Sequence, residues 1–267
     1  MIFRYPGGKS KLLKSLGVFL DPLIENCEVY TEPFVGGGSV ALYVAAKNDD
    51  TDIFLNDLDQ GISSFWKVVS GDDIGDLFRL MRKKPSVRLF EKLRNENPAD
   101  EVDKAYKALF LNRCAFSGIS TSGPIGGYDQ TSEWKIGCRY NYSRLKKEIM
   151  EAHELLRDRT LVTNSDFREV MWNCGSYYVD APYYVKGDSL YPVKMSHEDH
   201  MELSKMMRNM IKNLKGYVDG WVISYDLCAE IRRMYSWADI IPIDANYSIN
   251  GIKKTWKKTK ECVIVPK

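Results

Sequence analysis

The sequence predicts an α/β fold, a central sheet built from alternating strands and helices and interrupted by an inserted, mainly helical module. Three observations carry this expectation. Short apolar runs alternate with helix-period segments up to about residue 57. From Leu58 to Arg144 the chain becomes charge-dense and helical, then rich in Gly, Ser, Thr and aromatics. After Leu145 the strand–helix alternation returns. The expected division is therefore 1–57, 58–145 and 146–267.

Element by element, Leu12, Leu13, Leu16, Val18 and Phe19 recur at roughly helical spacing and predict a helix over Lys9–Leu20. A strand follows near Glu28–Phe34, then a helix over Ser39–Lys47 and a strand over Ile53–Asn56. Within the middle region the spacing predicts helices over Asp73–Arg82, Val87–Arg94 and Val102–Arg113. The stretch Phe116–Tyr142 offers little regular pattern beyond a loop and a hairpin. The last part reads as strand Thr160–Thr163, helix Phe167–Trp172, strand Tyr177–Asp180, helix His197–Leu214, strand Val218–Ser224 and helix Leu227–Tyr235. Two more strands are expected near Asp239–Ile243 and Glu261–Val265.

Composition narrows the class. With 267 residues and 44% hydrophobic content the chain can bury a proper core. A net charge of +2 provides no global basic field, so any nucleic-acid contact must rest on local clusters. The six cysteines are scattered without a CxxC pair, and the three histidines make no convincing metal cluster, so reduced thiols and no metal are expected. No apolar stretch approaches a membrane span, and Met1–Leu20 carries charges where a signal peptide needs its apolar centre. These features predict a soluble, cytoplasmic protein without a membrane partner.

Four segments carry chemistry. Asp180-Ala181-Pro182-Tyr183 directly follows the apolar run Tyr177-Tyr178-Val179. Proline ends ladder bonding and forces the preceding residue to be extended. The Asp180 carboxylate and Ala181 carbonyl are then available to a cleft, with Tyr183 as a flat wall, which suits a planar base bearing an exocyclic amine. The bland alternative is an ordinary strand-to-loop turn. Phe34-Val35-Gly36-Gly37-Gly38 follows a predicted strand and opens a helix, with Asp57 about twenty residues on at the end of the next strand. Such a turn admits a close ligand, and the acid suits ribose hydroxyls, whether of a dinucleotide or of a nucleoside. Asn164-Ser165-Asp166-Phe167 also ends a strand; Asp166 and Phe167 suit an adenine ring, while helix capping explains the same residues. Five lysines surround Trp256 in Lys253–Lys260, a pattern fit for phosphate contact or simply a solvated hairpin. Gly8-Lys9-Ser10 is not a phosphate-binding loop, because the earlier glycine would fall at Phe3.

Taken together and in this order, these segments resemble the Dam-type (class alpha, D12) adenine-specific DNA methyltransferases, and the resemblance covers nearly the whole chain. It implies a Rossmann-like S-adenosylmethionine-dependent methyltransferase sheet with an inserted, mainly helical target-recognition domain. Arg4–Lys9, with Tyr5 and Lys9, is similar to the element that wraps the methionine part of S-adenosylmethionine. Phe34, Gly36 and Gly38 are similar to the cofactor loop, Asp57 to the ribose acid, and Asp166, Phe167 and Asp180 complete the implied cofactor set. Asp180–Tyr183 matches the family's Asp-Pro-Pro-Tyr with Ala181 in place of proline; the needed carbonyl remains while some rigidity is lost. The implied contacts to double-stranded DNA are Arg4, Asn112, Arg113, Phe116, Ser117, Thr121, Lys253, Lys254, Lys257 and Lys258. Thr121 stands where GATC-modifying members carry a guanine-reading arginine, so a GATC target is not expected.

The function implied is methyl transfer to the N6 amine of a flipped adenine in a specific site. It leaves room for a cognate restriction endonuclease as partner. Rival readings are cytosine-N4 or RNA adenine methylation, a dinucleotide-dependent oxidoreductase using the same glycine turn, and a DNA-binding paralogue without catalysis.

Overall fold

The computed structural model describes residues 1–4, 8–119, 121–171, 175–185, 194–213, 218–246 and 258–267. In chain order the strands are β1 (Val29–Glu32), β2 (Asp52–Asn56), β3 (Thr160–Thr163), β4 (Gly175–Val179), β5 (Val218–Asp226), β6 (Asp239–Asn246) and β7 (Lys258–Val265). The helices are α1 (Leu13–Ile24), α2 (Ser39–Lys47), α3 (Gln60–Ser70), α4 (Ile74–Met81), α5 (Val87–Asn95), α6 (Glu101–Cys114), α7 (Tyr142–Leu156), α8 (Phe167–Val170), α9 (His197–Asn213) and α10 (Ala229–Met234).

The sheet runs β3-β2-β1-β4-β5-β7-β6. The first five strands pair in parallel, and β7 lies antiparallel between β5 and β6. Helical crossovers explain why every residue of β4 is buried, since a parallel sheet is covered on both faces. The chain reverses direction across the sheet between β1 and β4, which opens a crevice at their carboxyl ends.

Successive side chains of a strand point to opposite faces, so the sheet separates two cores. Tyr178 and Val222 face one, with Leu16, Val44, Phe65, Trp66, Phe110 and Ile149. Tyr177, Val179, Trp221 and Ile223 face the other, where Met171, Met206, Met207, Met210 and Met234 are all buried. Phe65, Leu77, Phe90 and Phe110, from helices between residues 60 and 114, belong to the same cluster as Ile53 and Leu55 of β2.

The expected sheet strands are present with small shifts of boundary, and the first helix divides into a 3-10 turn at Lys9–Lys11 and α1. Two helices went unpredicted. α3 starts at an Asp59 cap that accepts from Gly61 and Ile62 N–H, and α7 starts at an Asn141 cap that accepts from Arg144 N–H. The expected hairpin in 116–142 is instead two 3-10 turns with one isolated bridge, Ala115 to Pro124.

Candidate active site

A cavity of about 360 Å³ opens at the crevice, lined by the segments that leave β1, β2, β3 and β4. Lys9, Phe34, Gly36, Gly38, Asp57, Asp166, Phe167, Asp180 and Pro182 all line it, so the structure brings together residues spread over more than 170 positions of sequence.

The floor is the glycine turn. Gly36 has φ +45° and Gly38 φ +65°, both in the left-handed region that favours glycine. A Cβ on Gly38 would lie 2.2 Å from the Trp66 ring, whereas one on Gly36 would meet no protein atom within 4 Å. Trp66, from the unpredicted α3, also donates its Nε1–H to the Gly36 carbonyl at 2.9 Å. The turn is thus pressed from behind by an indole and left open toward the cavity. Asp57 accepts from the Gly36 N–H and the Asp59 N–H, each at 2.9 Å. Burial, reinforced by the Asp59 charge, nevertheless pushes its carboxyl up to about 7.

The aromatic wall is Phe34 and Phe167, ring centroids 5.5 Å apart. Asp166 caps α8 through Arg168 N–H at 2.9 Å and pairs with the Arg168 guanidinium at 3.0 Å. Both readings of this segment therefore meet in one place: the capping acid also lines the cavity.

The third wall is ionic. Lys9, only 3% exposed, places its Nζ 2.6 Å from Asp180 Oδ1 and donates to Tyr183 Oη at 3.0 Å. Tyr183 in turn donates to Glu261. Burial pushes Asp180 up to about 6 while Lys9 opposes the rise and Glu261 adds to it. Across the crevice, Glu32 at the end of β1 accepts from Tyr30 Oη at 2.6 Å, and burial raises its carboxyl to about 8. The sequence placed Glu32 only within the cofactor-loop segment Glu32–Gly38, without a role of its own, and did not point to Trp66 or Glu261 as site residues.

Several expected residues sit elsewhere. Ala181 and Tyr183 are 1% and 4% exposed and lie behind the cavity wall. With its hydroxyl held by Lys9 and Glu261, Tyr183 is placed as an internal strut and not as the flat wall the sequence suggested. Asn112 is 5% exposed; its side chain accepts from Arg4 N–H and donates to the Arg4 and Gly118 carbonyls, tying the N-terminal segment to the 115–119 turn. Arg113, also 5% exposed, donates to the Met1 carbonyl at 2.6 Å. Both side chains are spent inside the fold, so neither is carried forward as a DNA contact. Phe116 (59% exposed), Ser117 (φ +56°) and Thr121 lie on the outer 115–125 loop. Thr121 lines a second cavity of about 510 Å³ with Arg94, Lys104 and Lys107, which were not anticipated. Tyr5, Lys253, Lys254 and Lys257 lie outside the described residues, as does the side chain of Lys258.

The family model for D12 class N6 adenine-specific DNA methyltransferases matches residues 5–249. The chain belongs to that family. Among curated relatives of this D12 class protein, the type II methyltransferase M.MjaIII of Methanocaldococcus jannaschii is 25% identical over 169 residues, covering 55% of this chain and 58% of the relative. The type II methyltransferase M.CviBI of Paramecium bursaria Chlorella virus NC1A is 24% identical over 216 residues, 78% of each chain. A DNA N-6-adenine-methyltransferase of Escherichia phage P1 is 24% identical over 192 residues, 68% of this chain but 24% of its own length. Among the described residues no helix is long and apolar enough to cross a membrane.

Proposed function

We propose that this D12 class protein transfers a methyl group from S-adenosylmethionine to the N6 amine of an adenine flipped out of a specific double-stranded DNA site. The observation that carries this reading is the junction, in one cavity, of an open glycine turn with the Asp180 carboxylate. The residues present fit the cofactor. The space beside Gly36 admits close approach of a ligand, Phe34 and Phe167 wall a planar ring, and Asp57 supplies a carboxyl for ribose hydroxyls. When bound, S-adenosylmethionine supplies a methyl group on a sulfonium, already activated for transfer.

The protein's own task is then positioning. Asp180 accepts an amine hydrogen, draws the nitrogen toward tetrahedral geometry and aims its lone pair, while Ala181, buried off the cavity lining, is not carried into this step. The same carboxylate, bonded to that amine, can take the proton that the methylated nitrogen must lose. Lys9 keeps it an acceptor by opposing the effect of burial. The duplex stacks the amine out of reach, so the base must leave the helix. The region 58–145 is assigned to target recognition, with Phe116, Ser117 and Thr121 on its exposed loop. The name type II methyltransferase, carried by two relatives, supports a cognate restriction endonuclease as partner.

Incubation with radiolabelled S-adenosylmethionine and mixed duplex DNA, followed by identification of the labelled base, tests the reading. Label in N6-methyladenine supports it. Label in N4-methylcytosine, or only in RNA, overturns the choice of substrate.

A further inference from the structure

The residues following the catalytic turn are gripped by the two strands beside it. Asp226 on β5 accepts from the Tyr184 and Val185 N–H groups at 2.9 Å each. Its register partner on β7 is Glu261, 1% exposed, which accepts the Tyr183 hydroxyl hydrogen. With that hydrogen directed to Glu261, the lone pairs of the Tyr183 oxygen face Lys9 and accept its ammonium. The same ammonium meets Asp180 Oδ1 at 2.6 Å. A hydroxyl has one hydrogen and two lone pairs, so the carboxylate at one end sets the polarity of the whole chain.

We propose that Glu261 is a positioning residue of the reaction: through Tyr183 it fixes the Lys9 ammonium against Asp180, holding that acceptor in place from a strand outside the catalytic turn. The role assigned here rests on the methyl-transfer reading above. Neither Tyr183 nor Glu261 is among the residues lining the cavity, whereas Lys9 and Asp180 are, so the strut reaches the cavity only through that ion pair. A buried, hydrogen-bonded cation is also the least free to drift, which is what aiming an acceptor requires.

Three variants and one double variant test the strut. Glu261→Ala and Tyr183→Phe each lower kcat about a hundredfold, the loss expected for a misplaced reacting group, with a much smaller loss of S-adenosylhomocysteine affinity by calorimetry. Glu261→Gln keeps an oxygen acceptor for the Tyr183 hydroxyl and restores a substantial part of the lost kcat. The double variant costs no more than either single one, because both cut one connection. Additive losses, a loss of cofactor affinity as large as the loss of kcat, or a Glu261→Gln variant no better than Glu261→Ala overturns the proposal. A second measurement needs no reaction. The 1H–15N signal of the Lys9 ammonium, slowed in exchange by burial, persists in wild type and Glu261→Gln and disappears in Tyr183→Phe and Glu261→Ala. A signal that survives in the latter two overturns the strut. Absence of any methyl transfer by the wild type, with this signal pattern intact, overturns the reaction reading and leaves the strut standing.

Discussion

At the scale of single residues, two carboxyls make separable predictions. Asp180→Ala removes an acceptor whose bonds matter mainly in the transition state, so turnover falls by on the order of a hundredfold or more while the fold persists. Initial rates of methyl transfer beside circular dichroism check this, and near-normal turnover would remove Asp180 from its role. Glu32 speaks to stability instead. The folded protein holds its proton up to about pH 8, whereas the ordinary value is 4.5. The folded state therefore binds more protons than the unfolded chain between those limits, and stability falls as pH rises through that window. Glu32→Gln, which can still accept from Tyr30, makes the melting temperature decline less steeply between pH 5 and 8 than in wild type. An unchanged slope would show that Glu32 ionises freely. Asp180 was legible from sequence because a proline turn after an apolar run marks a strand tip. Glu261 was not, because its partner is 78 positions away, and hydrogen bonds of that span leave no local pattern.

At the scale of elements, the glycine turn and α3 form one device. Gly38→Ala would drive a methyl group into the Trp66 ring in a backbone region that already disfavours it, so the turn must shift. We expect a lower melting temperature and loss of cofactor binding together. Gly36→Ala meets only open space within the protein. Its fold survives with strain of about 1–2 kcal/mol, while the added methyl fills the cofactor's approach and weakens binding of S-adenosylhomocysteine. Equal affinities of Gly36→Ala and wild type, by calorimetry, would move the cofactor away from this turn. The turn was readable from Phe34–Gly38, but its buttress was not. α3 carries a helical stripe, Ile62, Phe65, Trp66 and Val69, with Ser63, Ser64 and Lys67 between, so its spacing was readable; the bond of Trp66 to Gly36, 30 positions away, was not. Its Asp59 start signal was present and was the clue to use.

At the scale of the whole molecule, a net charge of +2 cannot steer DNA from a distance, so affinity must come from clusters. Neutralising Lys253 and Lys254 should weaken binding about equally for all sequences and flatten the salt dependence by roughly one unit of slope per lost phosphate contact. Changing Ser117 or Thr121 should instead alter which sites are methylated. Lysine variants that keep the wild-type slope would mark the segment as merely solvated. The alternation of strands and helices made the sheet legible in outline, whereas the shared core of its helices required the folded arrangement. The two sides of that sheet also differ in their chemistry toward oxidants. The face beneath β4 and β5 is filled by Met171, Met206, Met207, Met210 and Met234, soft side chains that adapt to irregular gaps. Each becomes a polar sulfoxide on oxidation, a change that a close-packed interior cannot absorb. Once peroxide gains access, the core beneath Tyr177 and Val179 should therefore loosen before the core that Tyr178 shares with α3 and α6, and methionine sulfoxide reductase should reverse the injury.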